Sequence, residues 1–108
     1  MREEEIKKLR HVVLFKFNDS SEPAIIESLH QQFIHLAAVI PEIEAFEWGL
    51  NDSPEDLHQG LTHCYMLTFL SEDDRDNKYT PHPQHQNFVK QLKPHLDKVL
   101  VVDYWAHS

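Results

Sequence analysis

The stretch HVVLFKF, residues 11–17, decides how this chain is read. Its Val and Phe content marks a strand. Neighbouring side chains of a strand point to opposite faces, so Val12 and Leu14 share one face while Val13, Phe15 and Phe17 share the other. Both faces are apolar. A second stretch, KVLVVDYW at 98–105, repeats the pattern, with Leu100, Val102 and Tyr104 opposite Val99, Val101 and Trp105. An antiparallel sheet with one face in water would alternate apolar and polar residues instead. A sheet built on these strands needs a cover on each side.

Working outward from the first strand, residues 18–21 (NDSS) turn the chain, and Ser20 or Ser21 is placed to cap a helix with Pro23 in its first turn. Ile25, Ile26, Leu29, Phe33, Leu36 and Ala37 recur at three- and four-residue spacing, predicting an amphipathic helix that ends before Pro41. A second strand is expected over 43–50, a polar loop over 51–60, a third strand from Thr62 and a short helix over 71–78. A second long helix carries Phe88, Val89, Leu92 and Leu96, and Pro94 kinks or stops it. The order strand–helix–strand, twice, predicts an α+β fold: a four-stranded antiparallel sheet with both longer helices on one face. The opposite face is then left for a second subunit, most simply by two-fold symmetry, or for an unusually hydrophobic ligand.

The bulk numbers narrow the function. A chain of 108 residues is one domain, read here as a charged extension over 1–10 and a folded domain over 11–105. Eighteen acidic residues against ten basic ones give a net charge of -8, which repels phosphate backbones and argues against nucleic acid as a partner. Cys64 is the sole cysteine, so no internal disulfide forms, as suits a reducing compartment. No run approaches the roughly 20 apolar residues of a membrane span, and MREEEIKKLR lacks the pattern of a secretory signal. The expectation is a cytoplasmic protein with no membrane partner.

Gly49 and Gly60 are the only glycines, so there is no phosphate-cradling loop and no nucleotide cofactor is expected. Nine histidines raise the question of zinc. Cys64 has no C-x-x-C partner, HPQH at 82–85 is not the HExxH helix motif, and His30 and His35 would diverge on a helix. The expectation is no metal and no cofactor.

The stretch YTPHPQHQNFV, residues 79–89, gathers Tyr79, His82 and His85 around two prolines at the start of the second helix. Two readings stand side by side for it. In one, His85 lines a pocket and takes part in proton transfer; in the other, the prolines make a rigid turn and His85 ties the helix to the last strand. His82 reads as a turn residue, with a place in the ligand pocket as the alternative. His11 shares its strand face with Val13, Phe15 and Phe17, and His63 shares its face with Tyr65, Leu67 and Phe69. If both faces point toward the helices, these histidines meet near Asp103; the plainer reading makes each a satisfied histidine at the edge of the core.

With these elements in place, five blocks resemble the stress-responsive A/B barrel (Dabb) domain family. They are HVVLFKF at 11–17, IPEIEAFEWG at 40–49, GLTHCYMLTF at 60–69, HPQH at 82–85 and KVLVVDY at 98–104, in that order and spacing. The resemblance implies a ferredoxin-like subunit whose open sheet face pairs with its partner's, forming a homodimeric α/β barrel. The family holds plant stress proteins, bacterial proteins without assigned activity, and a plant polyketide cyclase that closes a ring by aldol condensation between helices and sheet. Position by position, the resemblance implies His85 as catalytic base, Tyr79 as the substrate-activating phenol and Asp103 as the acid orienting the base. His11 and His63 match pocket histidines. Phe33 stands where that pocket has a tyrosine, so one hydroxyl is missing.

The implied chemistry is coherent. A neutral imidazole accepts a proton near neutral pH, a carboxylate on its other nitrogen fixes the tautomer, and a phenol donates to the developing oxyanion. Three functions compete: a dimeric protein that binds a small hydrophobic or polyketide-like ligand without turnover, a cofactor-independent cyclase or isomerase using His85, and a purely structural assembly module. A real cavity holding His85, Tyr79 and Asp103 separates the first two from the third.

Overall fold

The structure, a computed structural model, describes residues 7–108. Its elements run β1 (Leu9–Phe17), α1 (Pro23–Val39), β2 (Ala45–Leu50), β3 (His63–Phe69), a π-helical turn (Asp74–Tyr79), α2 (Pro83–Leu92), a 3-10 turn (Lys93–His95) and β4 (Leu96–Trp105). The four strands form one antiparallel sheet in the order β2-β3-β1-β4, with the helices on one face. Of the expected extension over 1–10, residues 1–6 lie outside the described residues. Leu9 and Arg10 already belong to β1.

The expected serine cap does not form. Glu22 occupies the N-cap of α1 without a side-chain bond, and the Ser21 hydroxyl instead pairs with His95 Nδ1 at 2.8 Å. Pro23 still opens the helix. Of the kink or stop expected at Pro94, the chain takes the stop: α2 ends at Leu92, one tight turn follows, and Leu96, expected on the helix, instead opens β4.

The register sorts the two apolar faces. Val13 lies opposite Tyr65 and Val101, and Phe15 opposite His63 and Val99. This side meets the helices, and Phe33, Tyr65, Leu67, Phe69 and Ile40 are its most deeply buried side chains. The other side carries Val12, Leu14, Cys64 and Met66 beside Leu100, Val102 and Tyr104. The last three are each about half exposed (47–49%). The helices cover β1 and β3 but leave the middle of β4 open, its ends Leu96 and Trp105 packing against the core. Val99 and Val101 therefore remain 53% and 52% exposed although they share the helix side of the sheet. That uncovered margin makes room for a cavity.

Candidate functional site

Between α2 and the β1–β4 pair lies a cavity of about 360 Å³. Its apolar wall includes Val13, Phe33, Val89, Leu92, Val99 and Val101. Its polar residues are His11 from β1, Tyr79 and Thr80 at the end of the π-helical turn, His85 from α2 and Lys93 from the 3-10 turn. The sequence explains how they converge. His11 lies on the helix side of β1, two residues before Val13. The wide turn over Asp74–Tyr79 buries the Tyr79 ring, which is 3% exposed and sits 5.2 Å from the Phe69 ring. Pro83 starts α2 with His85 in its first turn, bringing the imidazole 4.2 Å from the Tyr79 ring centre.

His85 takes its orientation from the backbone. Its Nδ1 lies 2.9 Å from the Thr80 carbonyl oxygen. A carbonyl can only accept, so Nδ1 carries the proton and Nε2 keeps its lone pair in the neutral ring. Burial lowers the pKa of His85 below its ordinary value, and nearby His11 and His82 act in the same direction against the opposing Thr80 bond. The ring is thus favoured in its neutral form. Tyr79 is shifted the other way: burial, followed by the Asp103 carboxylate, raises its pKa above the ordinary phenol value. It remains a protonated donor.

Asp103 is where the site departs from expectation. It does not reach His85. Register places it opposite His11, and its Oδ1 accepts from His11 Nδ1 at 2.8 Å, while Oδ2 accepts from Arg75 at 3.0 Å. The carboxylate therefore orients His11, and the Thr80 carbonyl does for His85 what Asp103 was expected to do. Arg75 also grips Asp76 at 2.7 Å, and these two acids hold its guanidinium firmly protonated.

His63 lies elsewhere. It pairs with Phe15 and Leu50, whereas His11 pairs with Leu67. Four residues of strand, about 13 Å, separate the two levels. His63 packs edge-on to Phe17 at 5.0 Å and bonds Thr62 Oγ1 at 2.8 Å, and burial lowers its pKa. It does not line the 360 Å³ cavity. His82 is the cap of α2, its Nδ1 accepting from the Gln84 N–H at 3.1 Å, and it is not among the residues lining the cavity, where a pocket role would have put it. Phe33 is 2% exposed, packs 4.4 Å from the Tyr65 ring and forms part of the cavity wall.

Sequence reasoning missed Thr80 and Arg75. A backbone acceptor leaves no trace in side-chain type. Arg75, embedded in EDDRD, reads as part of a solvated charged run. His30 was also unplaced: it is buried and its Nδ1 sits 2.7 Å from the Tyr65 hydroxyl. Among the described residues no group of three or more His, Cys, Asp or Glu side chains is arranged to hold a metal ion, and no helix is long and apolar enough to cross a membrane.

Residues 9–106 match the model of the Stress responsive A/B Barrel Domain family. The chain is 41% identical over 96 residues to stress-response A/B barrel domain-containing protein HS1 of Arabidopsis thaliana, covering 89% of this chain and 87% of that one. It is 27% identical over 96 residues to olivetolic acid cyclase of Cannabis sativa, covering 89% and 94%. Among solved structures, hydroxynitrile lyase from Passiflora edulis is similar with a TM-score of 0.88 at 27% identity, covering 95% of this chain and 96% of that one. A protein of unknown function from Bacteroides fragilis, described as dimeric with a ferredoxin-like fold, has a TM-score of 0.71 at 26% identity, covering 92% and 96%.

Proposed function

The chain belongs to the stress responsive A/B barrel domain family, and from that premise we propose that it is a homodimer that binds a small apolar molecule in the α2–β4 cavity. The observation that carries the binding reading is the cavity itself: about 360 Å³, apolar along its length, with two imidazoles and a phenol gathered among its walls. Small-molecule sites of this size, with a few convergent polar groups, are a common form. The dimer is supported by the apolar open face of the sheet and by relatives described as dimeric. The neutral dye N-phenyl-1-naphthylamine tests the binding reading. Saturable binding is expected, together with its loss in Val101→Trp, which fills the cavity from its exposed margin. A chain that never saturates with the dye contradicts the reading.

A second reading is favoured by one further observation, the bond from His85 Nδ1 to Thr80. It supports His85 Nε2 as a base that removes a proton alpha to a carbonyl, with the Tyr79 hydroxyl donating to the enolate oxygen. No cofactor is needed for that step. Similar chains named as a cyclase and a hydroxynitrile lyase support a catalytic reading of this fold. The measurement is exchange of the alpha protons of 2-heptanone for deuterium in D2O, followed by NMR. Exchange above the buffer rate that disappears in His85→Phe is expected; equal rates with and without protein sink the catalytic reading and leave the binding one in place.

A further inference from the structure

The fourteen lining residues of the cavity include one side chain of fixed charge, Lys93. It makes no ion pair or side-chain hydrogen bond among the described residues. In a chain of net charge -8, this is the unusual sign to find beside an apolar cavity. Its position relative to the polar group is also defined. His85 stands in the first turn of α2 and Lys93 one residue past its end, so eight residues of helical rise, about 12 Å, separate them. Val89 and Leu92 line the stretch between, and Val99 and Val101 line the β4 side.

We propose that the ligand is an elongated molecule with an apolar middle, a hydroxyl or carbonyl at the His85–Tyr79 end and a carboxylate at the Lys93 end. The proposal rests on the cavity reading above and gives its ligand a class. The volume agrees: at roughly 30 Å³ for each water-sized group, the cavity holds about a dozen such groups. With C–C bonds of about 1.5 Å, an extended chain of about ten carbons spans the distance between the ends. Lys93 also suits the negative end of the α2 dipole, a contribution to the helix that does not depend on which ligand binds.

Calorimetric titration of the full chain with 10-hydroxydecanoate, 1,10-decanediol and 10-amino-1-decanol tests this. The three share one length and one hydroxyl end and differ only in the charge of the other. The expected order is acid, then diol, then amine; Lys93 is exposed, so acid should exceed diol by roughly two- to fivefold, the range of an exposed ion pair. Added salt should narrow the gap. Lys93→Gln should abolish the preference and Lys93→Arg should keep it. Equal binding of acid and diol, or a preference that survives in Lys93→Gln, overturns the role of Lys93 while the cavity reading stands. If none of the three binds a native chain that still saturates with N-phenyl-1-naphthylamine, the elongated ligand is overturned and the cavity reading stands.

Discussion

Replacing Val102 by Asp is the sharpest test of the two-subunit arrangement. Val102 is 49% exposed, and its neighbours on the open face, Leu100 and Tyr104, are each 47% exposed. Complete burial of an apolar side chain of this kind contributes about 1.5–3 kcal/mol, so the exposed half of each retains about 1 kcal/mol. Under two-fold symmetry six such side chains supply roughly 6 kcal/mol of gross association energy. Val102→Asp removes about 2 kcal/mol of this and forces two carboxylates to lose water at no less than about 1 kcal/mol each. The total, about 4 kcal/mol, weakens dimerisation by roughly a thousandfold. Sedimentation equilibrium reads this directly, with Ser28→Asp on the outer surface of α1 as a control. A Val102→Asp chain that still dimerises within tenfold of the native constant refutes the argument.

Three further outcomes follow from the interior. Phe33→Ala, at a side chain 2% exposed and ringed by Phe15, Phe46, Tyr65 and Phe88, should cost about 3–5 kcal/mol in urea unfolding; a loss below about 1 kcal/mol would mean that the core collapses around the gap. Burial lowers the pKa values of His85 and His63 below the ordinary 6.5, so below that pH the unfolded chain binds more protons than the folded one. Stability should therefore fall as pH drops from 6.5 through the folded values, and His85→Gln should flatten the slope; a urea midpoint equal or higher at about pH 5.5 than at about pH 7.5 would contradict the sign. Gly60→Ala meets both a backbone at φ +79 and a Cβ placed 2.9 Å from Lys16 Cδ, so a loss of about 1–2 kcal/mol is expected, and a variant as stable as the native chain would show that the loop relaxes freely.

The fold was legible because its signals are periodic. Two-faced apolar strands at 11–17 and 98–105, a helix stripe through Leu29, Phe33 and Leu36, and prolines at 23 and 94 all act locally, and local patterns survive in the sequence. The strand ends were less so: β1 begins at Leu9 and β4 at Leu96, because pairing with a neighbour extends each strand past its apolar run. At the site, residue types could be read but their pairing could not. Asp103 was assigned to His85 by position, yet register puts it across from His11, and register is a property of two strands together. His63 and His11 share a sheet face, but parity says nothing about how far apart along that face they sit.

The Thr80 carbonyl has a consequence for how the site can change. It accepts from His85 Nδ1 at 2.9 Å and from the Gln86 side chain at 3.0 Å. Every residue type carries the same main-chain oxygen, so substitution at position 80 cannot delete the group that sets the imidazole tautomer. A side-chain carboxylate in that role could be lost by one codon change. Here the vulnerable quantity is the path of the chain between the π-helical turn and α2. Losing or gaining one residue over 76–82 would rotate the carbonyl away from the ring, while point changes that preserve the turn leave it aimed. The tautomer of His85 is in this sense inherited from the length of a loop rather than from the identity of any residue in it.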